Sequence, residues 1–369
     1  MSTCYFIAGG GTGGHIFPAV AIGKALLAEV PDARLFFVGT KYGLEKTLIP
    51  KLGYPLLTLP IRGLLGKGLV KKLALLWRLP ASLVLSLFYL LRYRPKVVIG
   101  VGGYASGPLF WTAAVLRRPT LIQEQNAHPG LTNRLCSKVA RLACLGFAEA
   151  APKLSCPSVV TGNPVRPEFT NRPAWAPDRD TVLILGGSQG ARGLNVELPR
   201  ILGPGFEGKD GWQLVHQAGK NHVESVRAAY GGDRPRVQVV DFIDDVASLM
   251  DRVRLVICRS GASTISELKH LRIPCILVPF PGAAEDHQTH NARSISQTGA
   301  ALLVPEAALP QAGPEILALI GDDAALQSMA NAFPPGFAGS AAACARAVLA
   351  LGKGTPTQRI IEELEAYVS

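Results

Sequence analysis

The sequence predicts an α/β protein with two Rossmann-like domains that face a cleft, each built on a parallel sheet. Short apolar runs alternate with segments of helical period, and each half opens with a strand, a glycine loop and a helix. The 369 residues are enough for about two domains. Continuous apolar strands separated by helices are typical of parallel sheets covered on both faces. The candidate strands are Cys4–Ala8, Leu35–Val38, Val97–Val101, Thr120–Ile122, Thr181–Leu185, Gln213–His216, Val237–Val240, Leu255–Cys258 and Cys275–Val278.

We divide the chain into a first domain at residues 1–163, a second at 164–340 and a C-terminal segment at 341–369. The stretch 162–180 is rich in proline and arginine, a composition that predicts the joint between the domains. The C-terminal segment has a helical pattern, and we expect it to pack back on the first domain. Other helical patterns occupy Pro18–Val30 and Leu131–Leu142.

Composition restricts the class of protein. Hydrophobic residues make up 48% and charged residues 18%, which excludes the disordered class. The seven cysteines include no C-x-x-C pair, which argues against a disulfide framework and a zinc site and for a reducing compartment. The N-terminus lacks the features of a signal peptide, so we expect a cytosolic chain. Asp178-Arg179-Asp180 resembles a D-x-D metal motif, but it precedes its strand among prolines and arginines, which favours a solvated linker.

The excess of positive charge comes from one stretch of the first domain. The net charge is +11, and no Asp or Glu occurs between Lys46 and Gln123. Such a field predicts an anionic partner: phospholipid, nucleic acid or a phosphorylated substrate. Nucleic acid is disfavoured because leucines, not stacking aromatics, accompany the basic residues. These basic residues are Lys46, Lys51, Arg62, Lys67, Lys71, Lys72, Arg78, Arg92, Arg94, Lys96, Arg117 and Arg118.

The apolar stretch at residues 73–91 approaches the length of a membrane-spanning helix. Arg78 and Pro80 interrupt it, so we expect two helical pieces separated at Pro80. One apolar stripe should pack on the sheet, and a second, beside a cationic rim, suits docking on an anionic bilayer; the alternative is that both are core. The first stripe is Leu83, Val84, Leu87, Phe88 and Leu91. The second is Leu69, Val70, Leu73, Leu76 and Trp77, with a rim of Lys67, Lys71, Lys72 and Arg78.

Three glycine loops follow predicted strands. The first, Gly9–Gly14, formally matches G-x-G-x-x-G. A dinucleotide site also requires an acidic residue at the end of the second strand, where this chain has Gly39 and Thr40, so a nicotinamide oxidoreductase is disfavoured. The other loops are Gly100–Pro108 and Gly186–Gly193. Because such loops can hold phosphates, three of them in two domains predict a polyanionic ligand.

Eight motifs from Gly9 to Ala292 resemble the signature set of the MurG family, bacterial glycosyltransferases with the GT-B fold. The motifs, in order, are GGGTGGHIFPAVAI, GVGGYASGP, EQNAHPGLTNR, GNPVR, GGSQGARGLN, FIDDV, CRSGASTISEL and DHQTHNA. The resemblance implies transfer of N-acetylglucosamine, with inversion, from UDP-N-acetylglucosamine to the C4 hydroxyl of the muramoyl sugar of lipid I. Lipid I is undecaprenyl-pyrophosphoryl-MurNAc-pentapeptide, and the product would be lipid II, an intermediate of peptidoglycan synthesis. A related UDP-sugar-dependent glycolipid glycosyltransferase and a UDP-sugar epimerase are the alternatives.

The resemblance makes His15 the candidate general base. Its place where a helix begins keeps the imidazole neutral and able to accept a proton near pH 7. Capping of the loop, or contact with the lipid pyrophosphate, is the alternative role. The N–H groups that face the pyrophosphate would be those of Thr12, Gly13 and Gly14, which we also count among the donor contacts. The acceptor side would further be lined by Gly102, Gly103 and Tyr104.

For the donor, the resemblance implies a site mainly in the second domain. Glu267 would bind the ribose diol, because a carboxylate accepts from both hydroxyls; the alternative is a first-turn acid that stabilises its helix. The backbone of Ile243 would contact uracil, and Arg166 would lie by the nucleotide. Some family members have paired glutamines where this chain has His287 and Gln288. The other implied donor contacts are Asn126, Ser188, Gln189, Gly190, Ala262, Ser263, Thr264, Ile265 and Ser266.

The implied partners are UDP-N-acetylglucosamine, lipid I, an anionic membrane surface and other proteins of cell-wall synthesis, without nucleic acid. The implied location is peripheral, on the cytoplasmic face of the inner (plasma) membrane. No tightly bound cofactor or protein-bound metal is implied; a divalent cation such as Mg²⁺ would act by screening the pyrophosphate.

Overall fold

The computed structural model describes residues 3–11, 13–62, 69–187, 189–205, 211–334 and 339–368, with the backbone alone for residues 69–76 and 205. The chain divides into two units: unit 1 comprises residues 1–166 and 337–369, and unit 2 comprises residues 167–336. The observed boundary at 166/167 lies close to the boundary we predicted at 163/164.

Unit 1 is built on one parallel sheet. Its strands are β1 (Cys4–Ala8), β2 (Arg34–Thr40), β3 (Leu56–Leu59), β4 (Val97–Gly100), β5 (Thr120–Glu124), β6 (Leu142–Leu145) and β7 (Ser158–Val160). Its first helices are α1 (Gly13–Glu29), α2 (Glu45–Lys51), α3 (Leu69–Tyr93), α4 (Ser106–Val115) and α5 (Leu131–Ser137), followed by a 3₁₀ turn at Ala148–Lys153. Over the described residues the strand order is β3-β2-β1-β4-β5-β6-β7.

Unit 2 repeats this plan. Its strands are β8 (Thr181–Leu185), β9 (Gln213–Gln217), β10 (Val237–Val240), β11 (Val253–Cys258), β12 (Cys275–Leu277) and β13 (Ala301–Leu303). Its helices are α6 (Pro167–Thr170), α7 (Arg192–Gly205), α8 (Val223–Ala229), α9 (Val246–Met250), α10 (Ala262–Leu271), α11 (His287–Ser296), α12 (Leu309–Ile320) and α13 (Asp323–Ala332), with 3₁₀ turns at Ala284–Asp286 and Glu306–Ala308. The strand order in the described part is β10-β9-β8-β11-β12-β13, again parallel.

The last two helices, α14 (Ser340–Lys353) and α15 (Thr357–Val368), belong to unit 1. The C-terminal segment is therefore two helices and not the one helix we expected, because Gly354 ends α14 with a φ of +82° and Pro356 precedes α15. On β1, Tyr5 and Ile7 face a core layer shared with α1, α14 and α15. Phe6 faces the opposite layer, toward α3 and α4. Both faces of the sheet are thus covered, as the apolar strands predicted.

Each of the nine predicted strands coincides with an observed strand to within two residues at either end. Strands β3, β6, β7 and β13 were missed because they have only three or four residues each. Strands β3, β6 and β13 also consist largely of Leu and Ala, which favour helices in isolation. The predicted helix Leu131–Leu142 is wrong in its last part: α5 ends at Ser137, and Leu142 begins β6.

Helix α3 is continuous from Leu69 to Tyr93, so the predicted break at Pro80 is wrong. Proline removes one backbone donor and strains the preceding turn. The helix nevertheless continues, because it packs along α4 and its later turns join the core of unit 1 through Leu90 and partly buried Tyr89. No helix in the described part of the chain has both the length and the apolar character that a membrane crossing requires.

The stripe of α3 that we expected to pack on the sheet is exposed instead. Val84 is 68% exposed and Phe88 57% exposed, whereas Ser82, Ser86 and Leu90 on the other face are buried. Two small serines at the buried face fit close helix packing, so the smaller residues and not the larger ones turn inward. The exposed residues are Trp77, Leu79, Leu83, Val84, Leu87, Phe88 and Leu91. Of the second predicted stripe and its rim, the side chains of Lys67, Leu69, Val70, Lys71, Lys72, Leu73 and Leu76 lie outside the description.

The segment before β8 is not a solvated linker. Arg179 is buried, and its guanidinium donates to the carbonyls of Met250 (2.8 Å) and Ala174 (2.8 Å). The indole N–H of buried Trp175 donates to the carbonyl of Arg254 at 2.9 Å. These contacts fix Trp175 and Arg179 on unit 2, so the middle residue of the D-x-D pattern is a structural arginine.

Candidate functional site

The carboxyl ends of β1 and β4 hold two glycine loops against each other. β1 lies between β2 and β4, so the loops occupy the point where the strand order reverses, at which α/β sheets bind ligands. A Cβ on Gly103 would lie 2.7 Å from the carbonyl oxygen of Gly10, and Gly103 has a φ of +85°. Because only glycine satisfies both conditions, the loop contact depends on it. The predicted residues Gly13 and Gly14 open α1 beside this contact.

His15 lies in the first turn of α1, against the loop after β4. A Cβ on Gly102 would lie 2.8 Å from Cε1 of the imidazole. Nδ1 of His15 lies 2.9 Å from Oε1 of Gln125. The amide nitrogen of Gln125 donates to the carbonyls of Val101 (3.0 Å) and Gln123 (3.1 Å), which fixes the amide orientation. Nδ1 of His15 therefore carries a hydrogen, so Nε2 is the ring nitrogen that can accept a proton.

Buried amides hold Gln125 in place. Nε2 of Gln123 donates to Oδ1 of Asn163 at 3.0 Å, and Nδ2 of Asn163 donates to the carbonyl of Gln125 at 2.8 Å. All three side chains are buried. Such a network restricts the imidazole of His15 to one orientation. Gln125 and Asn163 occur in motifs quoted above, but the motifs alone did not single them out.

A buried carboxylate, Glu124, lies next to this network. Its oxygens accept from the backbone N–H of Asn126 and from Nδ2 of Asn133, both at 2.8 Å. The pKa of Glu124 is raised, because the cost of burying its charge outweighs the hydrogen bonds from Asn126 and Asn133, which lower it. Asn126, predicted as a sugar contact, is thus fixed by a carboxylate that our sequence analysis did not select.

The glycine loop after β8 is the corresponding feature of unit 2. Gly190 has a φ of +74°, and a Cβ there would overlap the carbonyl oxygen of Ala218. Nδ2 of Asn195 donates to this carbonyl at 2.9 Å, and Oδ1 of Asn195 lies 3.0 Å from Nε2 of His216. Nδ1 of His216 lies 3.0 Å from the hydroxyl of Tyr230. Burial lowers the pKa of His216 to about 3, so a neutral imidazole supports the loop.

The predicted sugar and ribose contacts lie after β11 and β12. Glu267 is buried in the second turn of α10, whose first turn has no acidic residue, so its alternative role as a first-turn acid is wrong. The side chain of Ile265 is packed in the core and faces away from solvent. Oε1 of Gln288 accepts from the backbone N–H of Phe280 at 2.9 Å, and its carbonyl accepts from Oγ of Ser260 at 2.8 Å. Around Ile265, the first turns of α10 contain Ala262, Ser263, Thr264 and Ser266.

The remaining predicted residues are placed as follows. Ile243 is half-buried between β10 and α9, Tyr104 is exposed before α4, and Gln189 is exposed beside Gly190. Arg166 is the residue at which the first part of unit 1 ends. Thr12 and Ser188 lie outside the described residues. The predicted donor contacts that belong to unit 1 are Gly13, Gly14, Asn126 and Arg166, and the other described ones belong to unit 2.

Comparison with known proteins decides the family. Models of the glycosyltransferase family 28 N-terminal and C-terminal domains match residues 5–144 and 181–336. The crystal structure of Acinetobacter baumannii MurG matches with a TM-score of 0.77 and 28% identity, covering 99% of this chain and 100% of that one. A relative from Myxococcus xanthus (strain DK1622), named UDP-N-acetylglucosamine--N-acetylmuramyl-(pentapeptide) pyrophosphoryl-undecaprenol N-acetylglucosamine transferase, is 43% identical over 82% of this chain and 80% of its own length. The chain belongs to the MurG family.

The MurG family has the GT-B fold, which agrees with the two parallel α/β units described above. A crystal structure of a UDP-N-acetylglucosamine 2-epimerase matches with a TM-score of 0.60 over 96% of this chain and 97% of that one. At 14% identity this match shows a common fold alone.

One further arginine organises the strand ends of unit 2 in this MurG-family chain. Nη1 of Arg259 donates to the carbonyls of Val278 (3.2 Å) and Pro279 (3.1 Å), and Nη2 pairs with Glu306. A Cβ on Gly193 would overlap the carboxylate of Glu306. The pair therefore ties the ends of β11 and β12 to the start of α7. Arg259 precedes the S-G-A-S-T-I-S-E run in one of the quoted motifs, a position that could have indicated it. In the part of the chain that the structure describes, no group of three His, Cys, Asp or Glu side chains could hold a metal ion.

Proposed function

We propose that the two glycine-loop sites divide the substrates of the family reaction, with the lipid-linked acceptor at unit 1 and UDP-N-acetylglucosamine at unit 2. The chain is an N-acetylglucosaminyltransferase that uses the donor and the muramyl-pentapeptide pyrophosphoryl-undecaprenol acceptor for which its curated relatives are named. The observation that carries the assignment is the contact of His15 Nδ1 with Oε1 of Gln125, which leaves Nε2 as the ring nitrogen that can accept a proton beside the loops after β1 and β4.

His15 then acts as the general base. Nε2 takes the proton of the C4 hydroxyl of the muramoyl sugar while the hydroxyl oxygen attacks the anomeric carbon of N-acetylglucosamine. The bond from that carbon to the β-phosphate oxygen breaks, its electron pair stays on UDP, and attack from the opposite face inverts the configuration. Oε1 of Gln125 accepts from Nδ1–H and stabilises the imidazolium that forms.

The loop after β8 stabilises the departing UDP. It is followed directly by α7, so backbone N–H groups and the positive end of a 14-residue helix lie where phosphates bind in this class of fold. Gln189 and Gly190 supply N–H groups, and buried Glu267 accepts from the ribose diol. This assignment predicts that variants in the loop after β8 and at Glu267 change the KM for the donor, and that variants at Gly102 and Gly103 in the loop after β4 change the KM for the acceptor.

Transfer of radiolabel from UDP-N-acetylglucosamine to a lipid I analogue tests the reaction. In His15→Ala we expect kcat to fall about 10²–10⁴-fold, because a general base contributes that much. His222→Ala, an exposed histidine of unit 2, is the matched control and should retain activity. Unchanged kcat in His15→Ala would refute the base, and label on diacylglycerol or release of UDP without acceptor would refute the acceptor assignment.

We further propose that the exposed face of α3 docks on an anionic membrane. Val84, Phe88 and Leu91 recur at helical spacing and are exposed, as is Trp77. Trp111 on the adjacent α4 is also exposed. An apolar face of this kind, flanked by arginines, is typical of helices that lie in the membrane interface. The protein would be peripheral, on the cytoplasmic face of the plasma membrane, where the lipid-linked acceptor is used.

Charge supports this orientation. The two carboxylates that bound the acid-free stretch of the sequence, Glu45 and Glu124, are both buried. Between them, only basic side chains contribute formal charge, among them exposed Arg92 and Arg117. The surface that this part of unit 1 forms therefore attracts anionic lipid, because no exposed carboxylate from the same stretch offsets its positive charge.

Vesicle cosedimentation tests the docking. Wild type should bind vesicles containing phosphatidylglycerol more tightly than neutral vesicles, and the difference should shrink at high salt. Val84→Ser combined with Phe88→Ser should weaken binding by about tenfold or more, because two apolar side chains no longer leave water. Val196→Ser, an exposed valine of unit 2, is the control. Equal binding of the double variant and wild type would exclude this face.

A further inference from the structure

Glu45 is a buried acidic residue whose carboxylate contacts the first glycine loop, although it lies 34 residues away from that loop in sequence. Oε2 accepts from the backbone N–H of Gly11 at 2.8 Å. Oε1 accepts from the backbone N–H and the hydroxyl of Thr40, at 2.9 and 2.8 Å. All three neighbours donate, so the carboxylate serves only as an acceptor and joins the end of β2 to the loop after β1.

The space around this carboxylate is shaped by glycines. A Cβ on Gly10 would lie 2.5 Å from Cδ of Glu45, and one on Gly39 would lie 2.7 Å from its Cγ. A Cβ on Gly43 would overlap the carboxylate itself. Glycine at these three positions lets the side chain of Glu45 fit directly under the loop, with 1% of its surface exposed.

We propose that Glu45 is a positioning residue for the acceptor, because it sets the conformation of the loop that leads into Gly13, Gly14 and His15. Gly11 gives its N–H to Glu45 and not to a ligand, so the loop is anchored at this point before substrate binds. On its other side, Gly10 is in close contact with Gly103 of the second loop. A loop fixed on both sides presents its remaining N–H groups without an ordering cost when the pyrophosphate arrives.

The inference rests on the proposed binding of the acceptor pyrophosphate at these loops. Its consequence is specific: loss of the anchor should affect the acceptor and leave the donor site of unit 2 unchanged. Glu45→Gln keeps an acceptor oxygen at one of the two carboxylate positions and places a donor nitrogen at the other. The amide oxygen can still accept from Thr40, whereas the amide nitrogen then opposes the N–H of Gly11, which loses its acceptor.

The experiment measures KM and kcat for both substrates, with a lipid I analogue, together with the thermal unfolding midpoint. Glu45→Gln should raise the acceptor KM about tenfold or more and change the donor KM less than about twofold. Gly43→Ala should reproduce this effect, because the new methyl group displaces the carboxylate without changing any charge. Glu29→Gln, which removes one exposed negative charge from unit 1, is the matched control and should keep the wild-type acceptor KM.

Three results would overturn the inference: a lower unfolding midpoint with both KM values unchanged, an equal rise in both KM values, or a Gly43→Ala enzyme with wild-type acceptor KM. Gly103→Ala disturbs the contact between the two loops directly, so it distinguishes a wrong role for Glu45 from a wrong location of the acceptor site. If Gly103→Ala raises the acceptor KM and Glu45→Gln does not, Glu45 is not a positioning residue. If neither variant raises it, the acceptor does not bind at these loops.

Discussion

His216 makes the stability of unit 2 depend on pH. It lies on β9, fully buried, between the hydroxyl of Tyr230 and the side chain of Asn195. Burial lowers the pKa of His216 from 6.5 to about 3, because a charged imidazole has no water around it there. Unfolding exposes the ring and returns its pKa to the ordinary value.

The sign follows from proton binding. Between pH 6.5 and 3 the unfolded chain binds a proton at His216 that the folded chain does not, so acid favours unfolding. The stabilising contribution is complete above the unfolded pKa and is lost as the pH falls below it. From pH 7.5 to pH 5.0 the loss from this residue amounts to about 2 kcal/mol, since each pH unit below 6.5 costs about 1.4 kcal/mol.

Urea unfolding followed by tryptophan fluorescence measures this loss. Of the four tryptophans, Trp175 and Trp212 belong to unit 2, so a background with Trp77→Phe and Trp111→Phe reports on unit 2 alone. The free energy of unfolding is compared at pH 7.5 and 5.0 for this background and for the same background with His216→Gln. All other titrating groups are common to both, so their contributions cancel in the comparison.

We expect the unfolding free energy of the background to fall between the two pH values by about 2 kcal/mol more than that of the His216→Gln protein. A lower absolute stability of His216→Gln does not affect the test, because each protein is compared with itself. Identical pH dependence in the two proteins would show that the His216 pKa is the same folded and unfolded, and the reasoning from burial would be refuted.

Two further predictions concern one loop and one helix face. Gly190→Ala should raise the KM for UDP-N-acetylglucosamine about tenfold or more, because the new methyl group overlaps the carbonyl of Ala218. The control is Gly187→Ala, which has a similar φ of +77° but open space around it and should raise this KM less. Equal effects of the two variants would mean that backbone strain alone is responsible. Leu90→Ala on the buried face of α3 should lower the free energy of unfolding, measured by urea denaturation, by about 2–5 kcal/mol. Val84→Ala on the exposed face should lower it by less than about 0.5 kcal/mol. The reverse order would mean that α3 faces the other way.

The candidate site was only partly predictable, and the reason lies in the range of the contacts. His15 and the glycines were identified because they occur in short motifs, where the neighbours in sequence carry the signal. The partners that orient them are distant: Gln125 is 110 residues from His15, and Glu45 is 34 residues from Gly11. A carboxylate under a loop and an amide behind an imidazole leave no local pattern, so sequence periodicity could not select them.

The sequence by itself determined the α/β class, nine strands and the family, because apolar runs and glycine loops act within a few residues of the chain. Only the tertiary structure decided which face of α3 is buried and whether the helix continues through Pro80. The apolar period of residues 83–91 specifies a stripe but not its destination, and packing against α4 placed Ser82, Ser86 and Leu90 inside and the larger side chains outside. Similarly, the tautomer of His15 depends on the carbonyls of Val101 and Gln123, which orient Gln125 only after β4 and β5 have paired.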